Sequence, residues 1–137
     1  MGAVVDASVI LNWYFEDEDE AGTLILRELV DQKILVPVHW QAEVGNGILV
    51  AERRGRAAAA QISRLFDLLD TLEMEVDEDG ATAVFARVLP LARAHRLTIY
   101  DALYLELAER RGVPLATLDN ALAKAAASVG IAVIGRD

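Results

Sequence analysis

Four acidic residues of this chain stand where a fold could gather them into one site. Asp6 ends the apolar run AVV at residues 3–5, and Asp119 follows the run PLAT at 114–117. Glu43 lies within WQAEVGN, and Asp101 opens the nearly all-apolar stretch DALYLELA. Carboxylates clustered without a cation repel one another, which raises some pKa values and costs stability. A hard divalent cation relieves the repulsion: Mg2+ takes carboxylate and water oxygens, and Mn2+ suits similar ligands. Zinc fits poorly, because the chain has no cysteine and only two histidines, His39 and His95. The chemistry that suits such a site is phosphodiester hydrolysis. A metal lowers the pKa of a bound water to make the nucleophile, and it or a second ion stabilises the leaving oxygen. Metal charge is also what would let an acidic site accept a phosphate.

Each acid has a plainer reading when taken alone. Asp6 can cap the helix that follows it, Glu43 can be an exposed helix residue, Asp101 can favour a helix start, and Asp119 can begin a turn with Asn120. Four such placements together are harder to dismiss. Ser8, Asn46 and Thr117 are neighbours able to hydrogen-bond the carboxylates or a water on a metal. Asn46 is three residues beyond Glu43 and shares its helical face. His39, beside Trp40, reads as packing at a helix start, and His95, near Arg96, as surface. No Gly-rich phosphate loop and no Ser–His–Asp arrangement competes.

The elements that must position these acids are legible as alternating strands and helices. Strands are expected at 3–5, 34–36 (stopped by Pro37), 73–76, 114–117 and 131–134. Helices are expected at 8–15, 17–31, 39–54, 57–72, 79–89, 100–111 and 120–127. Two glycines, Gly45 and Gly47, weaken the third helix, unless another element approaches closely there. Pro90 should kink or end the helix before it, and Gly112 should close the next. The strands lack polar alternation, as expected when helices cover both faces of a parallel sheet. In such sheets ligands bind outside the carboxyl ends of the strands, where Asp6 and Asp119 would lie.

Length and composition fit one globular domain spanning 1–137, with 54% hydrophobic residues. The absence of cysteine suits a reducing cytoplasm, and no charge-free run reaches the roughly 20 residues of a membrane helix. Net charge is −9, which taken alone argues against a nucleic-acid partner. Two runs, EDEDE at 16–20 and EMEVDED at 73–79, hold ten of the acids and read as solvated surface. Basic residues cluster at Arg53, Arg54 and Arg56, possible phosphate contacts, and at Arg93 and Arg96.

The ordered set VVDAS, WQAEVGN, TIYDALYLELA and LATLDNALAKAA resembles the PIN-domain ribonucleases, and more narrowly the VapC toxins of toxin–antitoxin pairs. The resemblance covers about residues 3–134. It implies a three-layer α/β/α sandwich around a mostly parallel sheet of four or five strands. It implies Mg2+- or Mn2+-dependent RNA cleavage, with Asp6, Glu43, Asp101 and Asp119 as the acids and Ser8, Thr117 and Asn46 as supporting groups. It also implies a homodimer and a cognate antitoxin that lays apolar and basic segments over the toxin. Trp13, Tyr14 and Phe15 are candidates for that groove, because three adjacent aromatics on a helix cannot all face one core. A non-catalytic binding module on the same fold is the alternative. A receiver-type phosphoacceptor domain fits poorly, since Asp6 is single and no lysine follows PLAT before Lys124.

Overall fold

Val4 and Val5 are β-branched and fully buried, as is Val36 in the strand alongside, and such residues favour the extended chain. They belong to the central sheet of a computed structural model that describes residues 2–15, 21–56 and 59–135. Five strands run parallel: β1 (Gly2–Val5), β2 (Lys33–Pro37), β3 (Met74–Asp77), β4 (Leu115–Ala116) and β5 (Val133–Ile134). Their spatial order is β3-β2-β1-β4-β5. The chain therefore moves outward from β1 in one direction, then returns to build outward in the other. The gap between β1 and β4 is the switch point at which open α/β sheets bind ligands.

Helices α1 (Ala7–Tyr14), α2 (Ala21–Leu29), α3 (Trp40–Arg53) and α4 (Ala59–Asp70) precede the switch. Helices α5 (Leu89–His95), α6 (Ile99–Arg111) and α7 (Asn120–Ser128) follow it. Right-handed crossovers put the two groups on opposite faces of the sheet, giving three layers. Helix α1 packs on α2, α3 and α4, while α6 packs on β1, β2, β4, α5 and α7. Helix α6 is buried without a break from Ala102 to Ala108. Among the described residues, no helix is long and apolar enough to cross a membrane. The expected solvated run at 16–20 lies outside the described residues, as do the first four residues of the helix expected at 17–31 and the first two of that expected at 57–72.

Several expectations are corrected. Pro90 does not end a helix. The stretch before it is a 3-10 turn (Ala81–Ala83) and a π turn (Val84–Val88), and Pro90 stands in the first turn of α5, where no helical N–H is needed. The acidic run at 73–79 is not uniformly solvated. Asp77 is buried and accepts hydrogen bonds from Arg110 at 2.7 and 3.1 Å, while Glu75 pairs with Lys33 and Arg111. Arg110 also binds the buried Glu106 at 2.8 Å, so one guanidinium satisfies two carboxylates taken out of water. Trp13 and Tyr14 are buried, Trp13 donating to the Gly22 carbonyl at 2.8 Å, so neither lines an open groove. Phe15 alone stays partly exposed, beneath the Arg56 guanidinium at 4.9 Å. Three helices around α1 supply the several buried faces that the sequence reading did not allow for.

Helix α5 ends at Arg96, whose backbone is left-handed at φ 56°. Among the described residues it is the one non-glycine with positive φ, a conformation that costs an L-residue about 1–2 kcal/mol. Gly112 ends α6 in the same conformation without that cost.

Candidate metal centre

The site grows from the carboxyl ends of β1 and β4. Register pairs Val4 with Leu115 and Val5 with Ala116, and the Asp6 N–H donates to the Ala116 carbonyl at 3.1 Å. Each strand then runs into a helix through an acid. Asp6 caps α1, its Oδ1 accepting from the Val9 N–H at 3.2 Å, and Asp119 caps α7, its Oδ1 accepting from the Leu122 N–H at 2.9 Å. Capping holds both side chains at the strand ends, so cap and site are one arrangement here.

The two hydroxyls read from the sequence join these acids. Ser8 donates to Asp6 Oδ1 at 2.6 Å and accepts from the Leu118 N–H at 3.0 Å. Thr117 donates to Asp6 Oδ2 at 2.5 Å and accepts from the Asp119 N–H at 3.0 Å. Asp6 is only 3% exposed. Burial pushes its carboxyl up to about 6, against the lowering effect of Ser8, Thr117 and Val9, and the Asp101 charge adds to the rise.

Asp101 comes from the first turn of α6, whose cap Thr98 accepts the Asp101 N–H at 3.1 Å. Its carboxyl is raised by burial and then by the charges of Asp119 and Glu43. Repulsion from these two, and its own effect on Asp6, make Asp101 the electrostatic centre of the four acids. Glu43 reaches the site from α3. Desolvation raises its pKa, but contacts from His39 and Tyr104 outweigh it and the net shift is downward. Tyr104 donates to Glu43 Oε1 at 2.7 Å, and His39 Nε2 lies 3.1 Å from the same oxygen, close but not aligned for a hydrogen bond.

His39 and Tyr104 were the residues missed. His39 does sit at the helix start, but its ring lies against Tyr100 and Tyr104 at 5.5 and 5.1 Å rather than serving only as packing for Trp40. Their spacing held a signal: His39 is four residues before Glu43, and Tyr104 three after Asp101. Asn46 is exposed one turn along α3 from Glu43. Arg53, Arg54 and Arg56 are exposed at and just past the other end of α3, and Arg53 is about 15 Å along the axis from Glu43.

Among the described residues, no three acidic or histidine side chains form a ready-made metal cage. The donors nevertheless suit a hard cation. They are all carboxylate oxygens, mutual charge and burial raise two of the four pKa values, and no thiol competes. Mg2+ typically keeps several waters and takes only one or two carboxylates, so a closed protein cage is not required of this site.

Residues 3–128 match the PIN domain family. The chain is 30% identical over 122 residues to "Ribonuclease VapC3" of Mycobacterium tuberculosis, covering 89% of this chain and 85% of that one. It is 30% identical over 125 residues to "Ribonuclease VapC3" of Pyrobaculum aerophilum, covering 90% and 94%. Its fold superposes on a chain of VapBC2 from Rickettsia felis, solved bound to a promoter DNA fragment, with TM-score 0.67, 14% identity and 97% of each chain covered.

Proposed function

The chain belongs to the PIN-domain family, and from that premise we propose that it is a metal-dependent endoribonuclease, the toxin of a toxin–antitoxin pair. The observation that carries the reading is the meeting of Asp6, Glu43, Asp101 and Asp119 at the switch point, with Asp101 raised by Asp119 and Glu43. The two relatives named ribonucleases support the substrate class.

In this reading the four carboxylates would hold Mg2+ or Mn2+, some directly and the others through its bound waters, and the ion would supply positive charge for the phosphate and acidify water. The chain's own groups do the rest. Ser8 and Thr117 each donate to a different Asp6 oxygen and so fix its plane. Tyr104 holds Glu43 through Oε1. Thr98 and the first turn of α6 hold Asp101 against its repulsive neighbours. The proposed products carry 5′-phosphate and 3′-hydroxyl ends.

A cognate antitoxin and a second copy of the chain are the proposed protein partners. An open groove of about 570 Å³ runs between α3 and α4, lined by Trp40, Val44, Ile48, Leu65, Phe66 and Leu69. Antitoxin is the occupant proposed for it, since a fold neighbour was solved as a VapBC assembly.

Antitoxin-free protein is expected to cleave RNA in Mn2+, to stop in EDTA, and to lose roughly a hundredfold or more in Asp101→Asn, the upper end of what even an outer-sphere change costs. Equal cleavage by wild type and Asp101→Asn, or cleavage that ignores EDTA, overturns the reading.

A further inference from the structure

An RNA strand approaching four carboxylates on a chain of net charge −9 needs cations beside those acids that are not already paired. The cations around the far end of α6 are engaged: Lys33 and Arg111 with Glu75, Arg110 with Asp77 and Glu106, and Arg87 with Glu106. Among the described residues, Arg96 and Lys124 form no ion pair. Together with His95 and Ser128 they line a cleft of about 300 Å³ between α5 and α7, and alanines 94, 121 and 125 complete its lining.

One wall of this cleft belongs to α7, the helix that Asp119 caps, and the other leads into α6, the helix that carries Asp101. Asp119 caps α7, and Lys124 lies five residues further, about 7.5 Å along the helix axis. Arg96 is two residues before Thr98, the cap of the helix that carries Asp101. Arg96 is also the one non-glycine held left-handed among the described residues, where glycine would sit without strain. Strained backbone of this kind clusters at ligand sites. The lining chemistry is that of a phosphodiester: a planar guanidinium, an ammonium, an imidazole and a hydroxyl, with Ser128 Oγ 3.4 Å from His95 Nδ1. Two cations in one cleft suit the charge that every nucleotide of the backbone carries.

Resting on the ribonuclease reading, we infer that the α5–α7 cleft is a phosphate subsite that holds the RNA backbone a short way from the scissile bond. Binding of a labelled single-stranded RNA in EDTA, and its cleavage in Mn2+, test this with Arg96→Gly and the Arg96→Gln/Lys124→Gln pair. Arg96→Gly is expected to keep or raise the thermal midpoint while weakening RNA binding severalfold. The double variant is expected to raise KM about tenfold with kcat within twofold, and to flatten the slope of log affinity against log salt by about 1.4, for two phosphates at 0.7 each. Wild-type cleavage with unchanged affinity and salt slope in both variants overturns the subsite and leaves the ribonuclease reading intact. Binding that depends on Arg96 and Lys124 without any cleavage supports the cleft and overturns the ribonuclease. No binding in EDTA together with no cleavage in Mn2+ overturns both; cleavage in Mn2+ without any binding in EDTA overturns the subsite alone. Loss of antitoxin capture with unchanged RNA binding reassigns the cleft to an acidic protein segment and overturns the subsite.

Discussion

Asp6 shows how one residue can serve the fold and work against it. As a cap it satisfies an N–H of α1, yet it is buried and its carboxyl sits at about 6 rather than 3.8. The folded chain therefore holds the Asp6 proton more tightly than the unfolded chain. Stability is lost as pH rises from about 4 through 6, by about 3 kcal/mol when fully expressed, at 1.36 kcal/mol per pKa unit. Asparagine caps as well as aspartate and carries no charge. Asp6→Asn is thus expected to gain about 1–3 kcal/mol at pH 7.5, with the gap closing near pH 4, while RNA cleavage is lost. Denaturant unfolding at both pH values measures this, and a variant weaker than wild type at pH 7.5 would refute it. The placement of the four acids, Ser8 and Thr117 at strand ends and helix starts was legible because those positions have local signatures. His39 was not, because its neighbour in sequence, Trp40, masked its neighbours in space, Tyr100 and Tyr104.

At the scale of elements, α3 carries the most informative contrast. Its two glycines are equally unfavourable to a helix by propensity, but the surroundings separate them. A Cβ on Gly47 would meet Leu11 at 2.6 Å, whereas one on Gly45 would meet nothing within 4 Å. Gly47 is the close approach that the sequence allowed for, letting α1 settle on α3. Gly45→Ala is expected to stabilise by about 0.5–1 kcal/mol, and Gly47→Ala to gain less or lose, since Leu11 must move. Thermal unfolding of the two single variants decides it, and an equal gain at both would deny that α1 reads this position. Strand positions and the burial of α6 followed from apolar runs, whereas the strand order β3-β2-β1-β4-β5 was read only from the structure. The ion cluster around Arg110 did not, because Asp77, Glu106 and Arg110 come from two segments whose meeting no local pattern announces.

For the whole molecule, the acid site, the basic cleft and the α3–α4 groove are separate places on one small body. The groove arises because α4 buries Leu65 but leaves Phe66 56% exposed, so the amphipathic face read from the sequence is only partly used internally. Phe66→Asp is expected to weaken antitoxin capture about tenfold or more with RNA cleavage unchanged, by co-purification and a cleavage assay. Capture at wild-type strength would move the antitoxin elsewhere. The pairing of β1 with β4 has a temporal side. Thr117 and Asp6 meet across 111 residues, so the first and last quarters of the chain must both exist before the site does. A ribosome that has exposed β1, β2 and β3 has produced an incomplete sheet with two acids lacking their partners. If the proposed function holds, the growing chain lacks a complete acid site throughout most of its own synthesis, and a nascent chain cut short before residue 115 is released without β4, Thr117 or Asp119.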